Sequence, residues 1–219
     1  MRYLQPALYA EGATDERFLP QLLWRLCDDL CLMLNQRVEV APVEVLPVVK
    51  AAQIAGSRHD RILAAAEAAS DLWSVLFVHA DADGDAIAAR ASRVHPGLEL
   101  LQQRFASRIA VAVVPVRMTE SWMLQDGNAL RNVLGCTLSD KDWGLPGSDA
   151  GVEALTDPKQ MLEQIFLSTQ PSGPARRRGV GGLYAPLGER VSLDRLRRLP
   201  SFRQTDQELQ AALHARQVY

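Results

Sequence analysis

The residues with the most chemical potential in this 219-residue chain are acids, and they stand where apolar runs end. Glu11 follows the run 3–10; Asp81, Asp83 and Asp85 follow SVLFVHA at 74–80; Glu120 lies just past IAVAVVPV at 109–116. The last two runs read as strands buried on both faces, the first as a short strand. In open α/β sheets, sites form beyond the carboxyl ends of strands, at the point where the strand order reverses. With a strand order of 2-1-3-4, the first and third strands are neighbours, and Glu11 meets the aspartates from a segment 70 residues away. An Asp-x-Asp keeps two side chains on one face while the chain is extended. Such a pair suits a hard cation such as Mg²⁺, or Mn²⁺, that keeps waters for phosphate oxygens. Without a cation, clustered carboxylates repel and raise one another's pKa. Asp85 equally suits the N-cap of the helix that follows.

Competing acid motifs fail on spacing. An EF-hand loop counted from Asp81 needs Gly sixth and Glu twelfth, where this chain has Ala86 and Ser92. A phosphatase-type nucleophilic aspartate belongs on a first strand, with Ser/Thr and Lys partners that are missing at the usual places. There is no GxxxxGK[ST] and no GxGxxG, because the glycines at 179, 181 and 182 follow no strand. No nucleophile elbow supports a Ser-His-Asp triad.

Other side chains divide between two readings. Arg117 is open to a salt bridge or a phosphate clamp. His79 suits a core hydrogen bond, or metal or proton chemistry. Lys159 is a phosphate contact or a solvated helix-start lysine, and Arg176, Arg177 and Arg178 are a nucleic-acid contact or a mobile Gly/Pro-rich loop. Trp122 reads as core more than as a base-stacking platform. Cys27 and Cys31 read as core thiols, since two further ligands are missing. Arg195, Arg197 and Arg198 read as a helix surface, and Arg58-His59-Asp60 as capping and surface charge.

The elements that must position these residues alternate through the first 135. A helix is expected over 14–34, with Phe18, Leu22, Leu23, Leu26 and Leu30 on one stripe and Thr14 as N-cap. A Val/Pro-rich strand at 38–49, a helix at 57–69, and a helical stretch broken at Pro96-Gly97 fill the gaps between strands. That rhythm predicts a doubly wound, mainly parallel four-stranded α/β sheet. Residues 136–157 read as loop, 158–167 as helix, and the C-terminus as two helices split at Pro200, so 136–219 is expected to be a loop and helical extension packed on the 1–135 core.

Composition bounds the setting. With 47% hydrophobic and 23% charged residues the chain is globular. Its longest apolar runs are far short of the roughly 20 residues of a membrane span. Three cysteines argue against a disulfide framework and for a cytoplasmic protein. Residues 1–170 hold 15 Lys+Arg against 22 Asp+Glu, and 171–219 hold 9 against 4. An acidic body with a basic tail fits carboxylates gathering a cation while Arg side chains meet phosphate.

EGATDERFL at 11–19, HADADGD at 79–85 and VPVRMTESWML at 114–124 resemble the Toprim fold of topoisomerases, primases and OLD-type nucleases. More narrowly the chain is similar to the bacterial family known as domain of unknown function 4276, also through Asp157-Pro158-Lys159 and LPSF at 199–202. The resemblance implies a Mg²⁺- or Mn²⁺-dependent phosphoryl-transfer centre. Glu11 would be its general acid/base or a metal ligand, Asp81 and Asp83 would hold the metal, and Glu120, in an acid-x-Trp motif, would complete a second metal position. Tyr184 and Tyr219 stand isolated, which argues against strand passage. The expected activity is a nuclease on DNA or RNA in a bacterial defence setting, with an ATPase partner. The alternatives are a non-catalytic subunit that binds metal or nucleotide and regulates such an ATPase, or a small-molecule phosphohydrolase; a homodimer stays open. A nuclease calls for the basic 171–219 segment beside the acids, a small-molecule enzyme for a closed pocket.

Overall fold

The computed structural model describes residues 2–34, 37–47 and 56–216. It is an α/β protein built on parallel sheets. Chain entry is split in two: β1 (Arg2–Leu4) pairs with β3 (Val38–Val40), while β2 (Pro6–Tyr9) joins a four-stranded sheet. The split falls at Gln5, whose carbonyl accepts the Ser74 N–H at 2.8 Å, and Pro6, which follows, has no N–H to continue a ladder. The larger sheet runs β4 (Glu44–Val45), β2, β5 (Val75–His79), β6 (Ile109–Val113), every pair parallel. The expected single strand over 38–49 is therefore two short ones in different sheets, separated around Pro42; residues 48 and 49 lie outside the described ones.

Alternation along the strands assigns each face. Leu8, Val75, Phe77, Val111 and Val113 pack with Phe18, Leu22 and Leu26 of α1 (Asp15–Leu32). Ala7, Tyr9, Leu76, Val78 and Ala112 pack with Ile62, Ala65 and Ala66 of α2 (Arg58–Ala68). Thr14 makes no side-chain cap on α1, whereas Ser57 and Asp60 form a full capping box on α2. Beyond β5 the chain runs α3 (Ala86–Ala89), a π-helical turn Arg90–Val94, and α4 (His95–Arg104). The expected break at Pro96-Gly97 does not occur. Pro96 sits in the first turn of α4, where its missing N–H is harmless, and Gly97 admits the Ile62 side chain, which would press on a Cβ at 2.8 Å.

The remaining helices are α5 (Glu120–Leu124), α6 (Gly127–Leu134), α7 (Asp149–Glu153), α8 (Pro158–Ser168), α9 (Gly173–Arg178), α10 (Tyr184–Arg190), α11 (Leu193–Leu196) and α12 (Pro200–Ala215). Leu162, Tyr184, Leu187, Leu196 and Phe202 belong to the same apolar cluster as Phe77 and Val111, so this part shares the α1-side core. Trp122 is buried core, donating to Ser201 Oγ at 2.9 Å and meeting Phe202 edge-on at 5.2 Å. Arg197 is no free surface charge, since it bridges Asp29 and Asp206. Arg176, Arg177 and Arg178, expected in a loop, lie on α9. Cys27 and Cys31 are buried and unbridged; burial pushes the Cys27 thiol well up and that of Cys31 to about 11. No helix among the described residues is long and apolar enough to cross a membrane.

Helix α10 lies against α1 at Gly188, where a Cβ would strike the Phe18 carbonyl oxygen. Arg25 reinforces the contact by donating to the carbonyls of Gly188 at 2.9 Å and Val191 at 2.8 Å. Gly188→Ala is expected to destabilise the protein by about 1–3 kcal/mol through overpacking against backbone that cannot yield, read as a lowered urea midpoint. A wild-type midpoint would show that the two helices do not pack this closely.

Candidate functional site

Pairing of β2 with β5 brings the loop after β2 against the loop after β5, and the acids meet there. Asp81 donates its backbone N–H to Glu11 Oε2 at 3.0 Å. His79, the last residue of β5, is 0% exposed and lies between acids. Its Nδ1 accepts the Glu11 N–H at 3.4 Å and is 3.7 Å from Asp15 Oδ2; its Nε2 is 3.3 Å from Asp81 Oδ1. Two atoms there, His79 Nε2 and Asp81 Oδ1, are buried with no hydrogen-bond partner. Such orphans are rare because each costs about 1–3 kcal/mol. One ligand atom each from Asp15, His79 and Asp81 lies within 4.8 Å of the others, so the three could hold a metal ion.

Two hydroxyls hold the neighbouring acids. Thr119 Oγ1 donates to Asp15 Oδ1 at 2.8 Å, and the Tyr184 hydroxyl donates to Glu120 Oε1 at 2.6 Å. Burial raises the pKa of Asp15, against the lowering pull of His79 and Thr119. Burial likewise raises Glu120, against the Tyr184 hydrogen bond, with the Asp15 and Asp81 charges adding to the rise. Burial and the neighbouring Glu120 drive the Tyr184 phenol far above its ordinary range.

Three arginines frame the acids. Arg93, on the π-helical turn, contacts Glu11 Oε1 and donates to the Asp81 carbonyl at 2.6 Å and to Asp83 Oδ2 at 3.3 Å. Arg58 donates to the His79 carbonyl at 2.7 Å and lies 3.5 Å from Glu11 Oε1. The Arg117 guanidinium lies over Gly84, about 3.5 Å from where a Cβ would stand, with no ion pair among the described residues.

The expected residues thus separate. Glu11 and Asp81 are together. Asp83 does not share a face with Asp81: its φ of +53° turns the chain, and its side chain is 80% exposed, touching Arg93. Asp85 caps α3, accepting the Ala88 N–H at 2.9 Å. Glu120 is buried against Tyr184, which is therefore not isolated; Tyr219 lies outside the described residues. Lys159 is exposed at the start of α8, away from any ion pair among the described residues. Arg176, Arg177 and Arg178 are exposed on α9, and Arg178 lines a surface cavity of about 570 Å³ with Asn132, Thr169 and Arg190. After α9, Gly181 abuts the Arg17 guanidinium and Tyr184 reaches Glu120.

Asp15, Arg58 and Arg93 were not legible as site residues. Asp15 reads as a helix-opening acid, and because Glu11 lies in the loop before α1 no helical spacing links the two. Arg58 reads as part of a capping sequence, and Arg93 carries no motif. Comparison with family models, with curated proteins and with solved structures finds no match for the chain.

Because Asp15 and Glu120 titrate above their unfolded values of 3.8 and 4.5, the metal-free folded chain binds more protons than the unfolded one in mild acid. Their contribution to stability therefore falls as pH rises from about 4 until both are ionised. In EDTA, Asp15→Asn is expected to raise the urea midpoint at pH 8 and to match wild type at pH 3.5. A variant less stable at pH 8 would show that the Asp15 charge is compensated in the apo protein.

Proposed function

We propose that this chain is a Toprim-like, metal-dependent nuclease cleaving phosphodiesters of DNA or RNA, akin to the domain of unknown function 4276 family. The observation that carries the reading is the buried pair of ligand atoms His79 Nε2 and Asp81 Oδ1, 3.3 Å apart and without a hydrogen bond, at the carboxyl end of β5 beside its parallel neighbour β2. Asp15, His79 and Asp81 would hold the ion, and the imidazole favours Mn²⁺ over Mg²⁺ within this oxygen-rich set. Bound there, a divalent cation supplies Lewis-acid polarisation of a phosphoryl oxygen.

The protein's own groups supply position and charge. Glu11 fixes the Asp81 amide, and Thr119 orients the Asp15 carboxylate. Arg117, with no ion pair among the described residues, is available to a phosphate oxygen. The Glu11 and Asp83 side chains, 27% and 80% exposed, open the cluster to solvent, which suits a polymer backbone more than an enclosed small molecule. The exposed arginines of α9 offer a second positive patch that a nucleic-acid backbone could meet. The same resemblance proposes an ATPase partner and a role in bacterial defence.

Plasmid DNA, single-stranded DNA and total RNA, each incubated with Mg²⁺ or Mn²⁺, test the proposal. Wild type is expected to cleave at least one of them, with Mn²⁺ the better ion, and Asp81→Asn and Glu11→Gln to abolish cleavage while keeping the wild-type circular dichroism spectrum. A wild type that binds Mn²⁺ and cleaves none of the three overturns the nuclease reading.

A further inference from the structure

The two halves of the acidic crevice differ in what they already hold. On the inner side, Asp15, His79 and Asp81 converge with two unpartnered buried atoms. On the outer side no such gap exists. Glu11 Oε2 takes the Asp81 amide, and Oε1 takes Arg93 and Arg58. The guanidinium of Arg93 reaches from Glu11 to Asp83 and to the Asp81 carbonyl, so three oxygens of the kind that bind a hard cation surround an organic one. Arg58 braces it from behind, donating Nε to the Arg93 carbonyl at 3.1 Å.

We infer that Arg93 is the resident cation of the outer half of this site, so that the chain takes a single divalent ion, at Asp15, His79 and Asp81, and Glu11 is a positioning residue rather than a metal ligand. The inference rests on the metal reading above and deepens it by fixing the number of ions. The physical basis is charge. The carboxylates of Glu11 and Asp83 both contact Arg93, whose positive charge offsets their repulsion with each other and with Asp81. An arginine supplies it permanently, because it does not lose its proton in proteins and its planar donors match two carboxylates and a carbonyl. A second dication on these same oxygens would have to displace the guanidinium and then sit beside its charge. At 32% exposure the Arg93 side chain also keeps one side open to the crevice, so the positive charge it brings is presented where a phosphate would lie.

The test is the stoichiometry of Mn²⁺ bound to the full chain, from the electron paramagnetic resonance signal of free Mn²⁺ during a titration, which does not depend on turnover. Wild type is expected to bind one ion per chain. Arg93→Gln, which removes the guanidinium shared by Glu11 Oε1, Asp83 and the Asp81 carbonyl, is expected to bind two, and Arg93→Lys, which keeps the positive charge, one. Should Arg93→Gln not fold, Glu11→Gln gives an independent reading: it is expected to retain the single ion with an affinity within a few-fold of wild type. Two ions in wild type, one in folded Arg93→Gln, two in Arg93→Lys, or loss of the ion in Glu11→Gln each overturn the inference. No ion in wild type overturns the metal reading beneath it as well, which keeps the two failures distinct.

Discussion

The pairing of β2 with β5 is the constraint on which the rest of the molecule depends. Their register places Tyr9 opposite Val78, so the two chains leave the sheet side by side. Only then does Glu11 reach the Asp81 amide, and only then does His79 come within reach of both Asp15 and Asp81. The helices on each face hold this edge in place from opposite sides: α1 delivers Asp15 from one, α2 delivers Arg58 from the other. The site is a property of the sheet's end, and no single segment contains it.

The acids of the crevice meet three different surroundings. Glu120 is buried against Tyr184, and burial raises its pKa. Asp15, His79 and Asp81 converge closely enough that they could hold a cation. At the rim, Glu11 and Asp83 are neutralised by arginine. The groups left without a hydrogen bond are confined to His79 and Asp81, while the acids around them are each held by a neighbour. Carboxylates that would otherwise repel are secured in different ways: by a hydroxyl at Asp15 and Glu120, by arginine at Glu11 and Asp83.

What could be read in the sequence followed from local signals of adequate length. The buried strands at 74–80 and 109–116 and the α1 stripe are long apolar patterns, and they yield an α/β protein with parallel sheets. Acids placed after those strands were visible because strand ends are visible. The short strands β3 and β4 were blurred into one because two or three residues on either side of Pro42 carry no period of their own. Asp83 was misplaced for a backbone reason: the expectation assumed an extended chain, whereas the loop turns at a positive φ. Arg58 and Arg93 were invisible because they act through tertiary reach, 47 and 82 residues from Glu11, and an arginine on a helix looks the same in sequence whether it faces water or a carboxylate. Asp15 lies between these cases, legible as a helix-opening acid and silent about its buried partner.

The π-helical turn at Arg90–Val94 gives the rim an unusual adjustability. A π turn houses about one residue more than an α turn, so a single deletion there would return the segment to ordinary winding while the helix beyond it kept its phase. Arg90 at its start is anchored to Glu208 of α12, and Arg58 holds the Arg93 carbonyl near its end. The extra residue is thus pinned between two fixed points, on the turn that carries Arg93. The counter-charge of the rim acids rides on an irregular turn that is held at both ends by contacts outside its own helix.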